Sequence, residues 1–283
     1  IFAFMALAVY ITFRILDFPD LTVDGSFTTG ASVAAVLIFN GANPIIASIA
    51  ALLAGAIAGM LTGLIHTKCK INPLLSGIIM MIALYSINLR IMGRPNIALL
   101  GKENNLILYL SHWLPGTPSA FSLLVALAIL VFLTKWVLDW FLNSELGLAL
   151  RATGDNPKMI RSLGVYTDQT KILGLSLSNG LVGLAGALFA QYQGSSDAAM
   201  GIGMIVIGLA SVIIGESIFG TRSIRWTTTA VVLGAIVYRI VIALALRIPG
   251  FQASDLRLIT AIIVLIALTT PLFMKRERGR RLA

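Results

Sequence analysis

The chain has 283 residues, 58% of them hydrophobic and 12% charged, with a mean hydropathy of +0.93. A soluble domain of this size carries about twice as much charge, so a water-soluble globular protein is excluded and an all-α, polytopic transmembrane helical bundle is expected. The formal net charge of +9 raises nucleic acid as a partner, but the placement of the basic residues along the chain argues against it.

A bilayer core roughly 30 Å thick takes about 20 apolar residues per helical crossing. The opening run, 1–16, is shorter. It lacks an initial Met, a basic leader and a small-residue cleavage site, and is expected to be a trimmed first span rather than a signal peptide. The next segment, DFPDLTVDGSFTTGASVAAVLIFNG (17–41), breaks the pattern. Its apolar part, 27–39, would rise only ~20 Å as a helix. Asp17, Asp20 and Asp24 precede it, Pro19 and Gly25 are breakers, and Ser26 suits an N-cap. Two readings stand: a broken helix of the kind that lines transporter cavities, or an acidic loop followed by a short tilted span. Run 44–65 holds Gly55, Gly59 and Gly63 on one face, a spacing that lets helix backbones approach closely. His66 and Cys69 follow at i, i+3. Two ligands fall short of a zinc site, so this is expected to be a turn without metal.

Run 72–93 carries Tyr85, Ser86, Asn88 and Arg90 near one end. Polar groups in a membrane usually face a bundle interior or a cavity. Ser86 and Asn88 are therefore cavity candidates, while Arg90 is expected to reach the interface. The 94–118 loop, with Tyr109 and Trp113, reads as an interfacial segment. In run 120–142, Lys135 and Asp139 are spaced to satisfy each other.

The polar stretch GLALRATGDNPKMIRSLGV (147–165) separates two apolar spans. Asp155 or Asn156 can cap a helix with Pro157 at its first position, and Gly164 can end it. Met159, Ile160 and Leu163 share one face of this helix of about seven residues, with Lys158, Arg161 and Ser162 off it. It suits docking into a protein groove, or a basic loop on lipid head groups. Further runs occupy 168–191, with Gly180, Gly183 and Gly186 at intervals of three, then 201–220, 226–246 and 256–274. Arg239 lies deep in its run and needs a partner that the pattern does not name. Counting all runs gives about 8–9 spans, including one short broken helix. If they alternate, 13 of the 21 Lys and Arg fall on one side, the tail 275–283 included. The positive-inside rule then makes that side and the C-terminus cytoplasmic, so the basic excess sets topology.

The run Gly147, Arg151, Ala152, Gly154, Asn156, Pro157, Arg161, Gly164 resembles the cytoplasmic coupling segment of ABC importer permeases, closest to the branched-chain amino-acid and ribose-type group. SLSNGLVGLAGALFAQYQG (176–194) and GLASVIIGESIFG (208–220) resemble the same family's following spans. Glu216 stands where many relatives are expected to have glycine. The resemblance implies a single permease domain over 1–283 in the cell membrane, with no catalytic residues and no bound cofactor. It also implies a second permease subunit in a homodimer or heterodimer, an ATP-binding subunit using ATP and Mg, and an extracytoplasmic substrate-binding protein. The coupling residues it implies are Arg151, Gly154, Asp155, Asn156, Pro157, Met159, Ile160, Arg161, Leu163 and Gly164. The chain has no G-x-x-x-x-G-K-[ST] phosphate loop of its own, which agrees.

For the substrate path the candidates are Asp24, Ser26, Phe27, Tyr85, Ser86 and Asn88. A helix N-terminus at Ser26 and Phe27 would hold an amino-acid carboxylate, and Asp24 would meet the ammonium. The motifs LTVDGSF and ALYSINLRIMG resemble permeases for aromatic amino acids. Tyr85 or Phe27 could stack on such a ring, though nothing separates aromatic from branched-chain cargo. The competing classes are a stand-alone ion-coupled secondary transporter, an ABC permease for a simple sugar, and an intramembrane enzyme. For the last, His66 and His112 lie in loops on opposite sides and offer no catalytic cluster.

Overall fold

The computed structural model describes residues 1–99, 106, 119–245, 247 and 265. The 256–274 run apart from Leu265, the basic tail, and the loop residues Tyr109, His112 and Trp113 lie outside the described residues.

The chain begins with α1 (Phe2–Val9), which continues to Ile15 in wider i→i+5 turns. It reverses at Asp17 (φ +51°) and enters α2 (Thr22–Phe39). α3 (Pro44–Lys68) and α4 (Pro73–Met92) follow, then β1 (Asn96–Ala98) and α5 (Ser119–Leu142). Two short helices come next, α6 (Glu145–Asp155) and α7 (Pro157–Ser162). The chain then runs through α8 (Thr167–Gln193), β2 (Ser195–Asp197), α9 (Met204–Phe219) and α10 (Ile224–Ala245). Six of these helices are long and apolar enough to cross a membrane, and Phe2–Ile15 and Met204–Phe219 are shorter apolar helices. This is a polytopic helical bundle.

One local device starts three of the helices. Asn43–Pro44, Asn72–Pro73 and Asn156–Pro157 each place an Asn at the N-cap and a Pro at the first helical position. The Asn Oδ1 accepts the backbone N–H of Ile45, Leu74 and Met159 respectively, at 2.9–3.0 Å. The side chain satisfies a donor the helix leaves free, and Pro lacks the N–H that would otherwise go unbonded.

α1 is apolar on all sides and correspondingly buried, with Phe4, Met5, Leu7 and Ile11 fully enclosed. α8 packs against α1, α2 and α3 through small residues. A Cβ on Gly55 would overlap the Asn179 carbonyl, one on Gly59 the Leu175 carbonyl, and one on Gly186 the Phe27 carbonyl. Both glycine patterns therefore serve internal packing, as close backbone approach requires.

Three expectations change. α2 is continuous for 18 residues, about 27 Å, so Gly25 does not break it. Leu84 and Met81 of α4 press on Gly25, and that packing overrides its low helix propensity. Ser26 is therefore inside the helix rather than at its cap. The bundle is also not wholly α: β1 and β2 pair antiparallel, Ile97 opposite Ser196. The ribbon is extended by Leu99 N–H to Gly194 O (2.8 Å) and Ala198 N–H to Pro95 O (2.9 Å). Finally, the span expected over 201–220 begins as a helix only at Met204, after a series of turns.

Candidate functional site

The segment 147–165, expected to couple, is built from its caps upward. Ser144 Oγ accepts the Gly147 N–H (3.3 Å) and opens α6, a helix the sequence pattern had not marked off from the stretch around it. Its signal is Leu146 and Leu150 at i, i+4 behind a Ser cap. Leu150 is fully buried, while Leu146 remains exposed. α6 is pinned at three points. A Cβ on Gly154 would overlap the Ile15 carbonyl at the end of α1. Thr153 Oγ1 meets Thr170 Oγ1 at 3.0 Å, and Leu150 packs with Leu16 over Gly174 of α8.

Asn156 ends α6 and caps α7, which has six residues. Asp155 is exposed and is not the cap. Leu163 closes the helix and Gly164 follows at φ +87°, a conformation that favours glycine. α7 buries none of its residues. Met159 is 61% and Leu163 67% exposed, one turn apart, and Ile160 is partly buried. On the opposite face, Pro157, Lys158, Arg161 and Ser162 form a basic cleft with Lys171. Arg161 is already engaged inside the chain: Nη2 donates to Thr167 Oγ1 (2.7 Å) and lies 3.4 Å from Asp168. Of the two cations expected at a partner's rim, Lys158 is the one with no such contact among the described residues. Arg151 is partly buried.

The substrate-path candidates divide. On α4, Tyr85 and Ser86 are exposed, together with Ile79, Ile82 and Arg90. Asn88 lies on the other face, fully buried, with Nδ2 donating to the Gly25 carbonyl (3.4 Å). It ties α4 to α2 and does not share the exposed face of Ser86. Phe27 is 1% exposed and meets the Phe189 ring at 5.6 Å. Ser26 is fully buried. Since α2 starts at Thr22, neither residue offers free helix-end N–H groups. The Asp24 carboxylate is itself occupied, accepting Gly203 N–H and Ile205 N–H, each at 2.8 Å, at the start of α9. It caps a helix, with one N–H on each carboxylate oxygen.

Three pairings complete the picture. Lys135 Nζ and Asp139 Oδ2 are 2.7 Å apart, the expected i, i+4 pair. Glu216 accepts from Arg14 Nε at 3.0 Å, linking α9 to the end of α1. Arg239, exposed on α10, lies over the Phe2 ring, 4.5 Å from its centroid. His66 Nδ1 is 2.7 Å from Ile71 O and its Nε2 is 3.2 Å from Lys171 Nζ, so the ring holds the turn after α3. Cys69 is free and exposed, and no cluster of metal-binding side chains occurs among the described residues.

Residues 1–268 match the family model described as branched-chain amino acid transport system / permease component. A tyrosine transport system permease protein of Clostridioides difficile is 47% identical over 95% of this chain and 88% of its own length. An uncharacterized protein of Rickettsia prowazekii is 36% identical over 96% and 94%. The autoinducer 2 import system permease protein of Yersinia pseudotuberculosis is 26% identical over 82% and 64%. No solved structure matches the chain. With a continuous family match over a polytopic bundle, the chain belongs to the branched-chain amino acid transport system permease family, whose members are transport permeases and not enzymes.

Proposed function

We propose that this chain is the membrane-spanning permease subunit of an ATP-driven importer for an aromatic amino acid, with tyrosine as the leading cargo. The observation that carries the coupling half of this reading is α7: six residues, capped at both ends, presenting Met159 and Leu163 to solvent. An exposed apolar pair on a short, rigidly mounted helix is a small anchor for a groove on another protein. The occupant is an ATP-binding subunit, because the family works with one and this chain has no phosphate loop. α7 leaves through α6, which abuts the end of α1 at Gly154, and α1 is paired to α9 by Arg14 and Glu216. A push on α7 is thus delivered to packed spans rather than absorbed by a loose loop.

The path runs between two copies of the chain along α4. Its exposed face carries Ser86 and Arg90 one turn apart, with Tyr85 beside them, and polar groups on a face turned to lipid are expensive. A second copy and a water-filled path relieve that cost. Tyr85 offers a ring for an aromatic side chain, which agrees with the name of the Clostridioides difficile relative. The end carrying Lys68, Lys70, Arg151 and Lys158 is cytoplasmic by the positive-inside rule. An extracytoplasmic binding protein delivers substrate at the opposite end.

The test is gentle affinity purification from the native membrane with mass spectrometry, followed by reconstitution with the co-purified subunits. Uptake of labelled tyrosine that requires ATP, with an ATP-binding subunit lost in Met159→Glu/Leu163→Glu, supports the reading. A chain that purifies alone and transports without ATP overturns it.

A further inference from the structure

At the junction of α2, α3 and α8 lies a polar cluster that neither the coupling surface nor the α4 face uses. Asp20, Thr22, Ser26, Thr62 and Asn179 are each 2% exposed or less. Asp20 Oδ1 accepts the Thr22 N–H at 2.9 Å, and Asp20 Oδ2 accepts Asn179 Nδ2 at 2.7 Å. The Thr22 and Thr62 hydroxyls are 2.8 Å apart. Asn179 is near the middle of α8 (Thr167–Gln193), so the carboxylate is held at mid-bundle depth. Ser26 belongs to the same junction by register. It lies one turn before Gly30, which abuts Gly183, and Asn179 lies one turn before Gly183.

Two atoms of this cluster have no hydrogen-bond partner among the described residues: Ser26 Oγ and Asn179 Oδ1. Asn179 spends both amide hydrogens on Asp20 and the Leu175 carbonyl. Its Oδ1 can only accept. The carboxylate of Asp20 receives hydrogen bonds from neutral donors and forms no ion pair among the described residues. His66, which packs on nearby Phe18, has its two nitrogens turned to Ile71 O and Lys171 Nζ. A buried charge without a counter-charge, beside orphaned oxygens, is costly on both counts. Water would fill the empty acceptor but leave a charge, and a proton on Asp20 would remove the charge but leave the acceptor empty. A cation bound to oxygen satisfies both, and the backbone over 17–20, which lies outside any helix, is the kind of segment that supplies such sites inside membranes.

We propose that Asp20, Asn179 and Ser26, with the Thr22 hydroxyl, bind a small monovalent cation through oxygen, with sodium as the occupant because the donors are few and closely packed between helices. The ion links the non-helical entry to α2 with the centre of α8 and is not the transported cargo.

The experiment uses the complete purified chain in detergent. Thermal unfolding is followed in sodium, potassium and choline chloride at equal ionic strength, alongside binding of radiolabelled sodium. The wild type is expected to melt higher in sodium than in choline, saturably, and to bind one sodium per chain. Ser26→Ala is expected to weaken apparent sodium affinity several-fold, and Asp20→Asn to fold and lose both the binding and the salt difference. Should Asp20→Asn fail to fold, Ser26→Ala and the wild-type binding curve decide the matter alone. Equal melting of the wild type in sodium and choline, or a sodium response retained in Asp20→Asn, overturns the site. A potassium response equal to that of sodium overturns sodium as the occupant. Neither readout involves ATP or substrate, so their failure leaves the importer reading standing.

Discussion

The interior of the bundle and its α7 end hold shape by opposite means. Where α3 meets α8, backbone touches backbone through Gly55, Gly59 and Gly183, and the side chains that remain are buried. At α7, the caps set the shape. Asn156 and Pro157 start the helix, Gly164 ends it, and no residue is buried. A helix of six residues is unstable alone, so its form depends on its caps and on α6 beneath it. The comparison teaches that the spans are fixed by the absence of side chains, whereas α7 is fixed by a few particular caps. Substitutions in the two regions should therefore fail differently: the first by losing the fold, the second by losing a partner.

The largest effect is expected from Gly55→Leu. The new side chain must displace the Asn179 carbonyl, and overpacking at a backbone contact costs about 3 kcal/mol or more. Little folded protein should survive detergent extraction, as seen by size-exclusion chromatography. Next comes Asp24→Ala, which removes two charge-assisted bonds at the start of α9 and costs about 2 kcal/mol. A lowered unfolding midpoint, with Asp24→Asn between it and the wild type, is the expected result. No change in either variant would show that α9 does not need this cap. Asn156→Ala should cost about 1 kcal/mol locally. Its signature is faster hydrogen exchange confined to 157–163 and weaker ATPase-subunit binding at an unchanged global midpoint. Smallest in stability is Met159→Glu: both states are exposed, so unfolding should shift by less than about 0.5 kcal/mol, while co-purification of the ATP-binding subunit is lost. If Met159→Glu unfolds the chain, or Gly55→Leu leaves it intact, the contrast between the two regions is wrong.

Much of this architecture was legible from local pattern. The Asn–Pro pair, the Gly164 stop and the Met159–Leu163 face announced α7, the four-residue glycine interval announced the α3 contact, and Lys135–Asp139 paired at i, i+4. What escaped depended on distant partners. Gly25 with three nearby aspartates looked like a break, yet α4 packs against it and the helix runs through. Asp24 has no partner in its own stretch of sequence, because the N–H groups it accepts lie 179 and 181 residues away. Asn88 and Ser86, two residues apart, looked like one site and turned out to lie on different faces. Strands of three residues are too short to show an alternating pattern, and the ribbon was missed for that reason.

That ribbon has a mechanical meaning. β1 leaves the end of α4 and β2 leaves the end of α8, so three paired residues and two flanking bonds fasten those helices together at the end remote from α7. Two rods pinned at one tip can swing but cannot part there. On that geometry a displacement applied at the α7 end would become angular motion about the ribbon, as in a clothes peg. The fastening would make that end of α4 the fulcrum of any such motion and leave the travel to the far end.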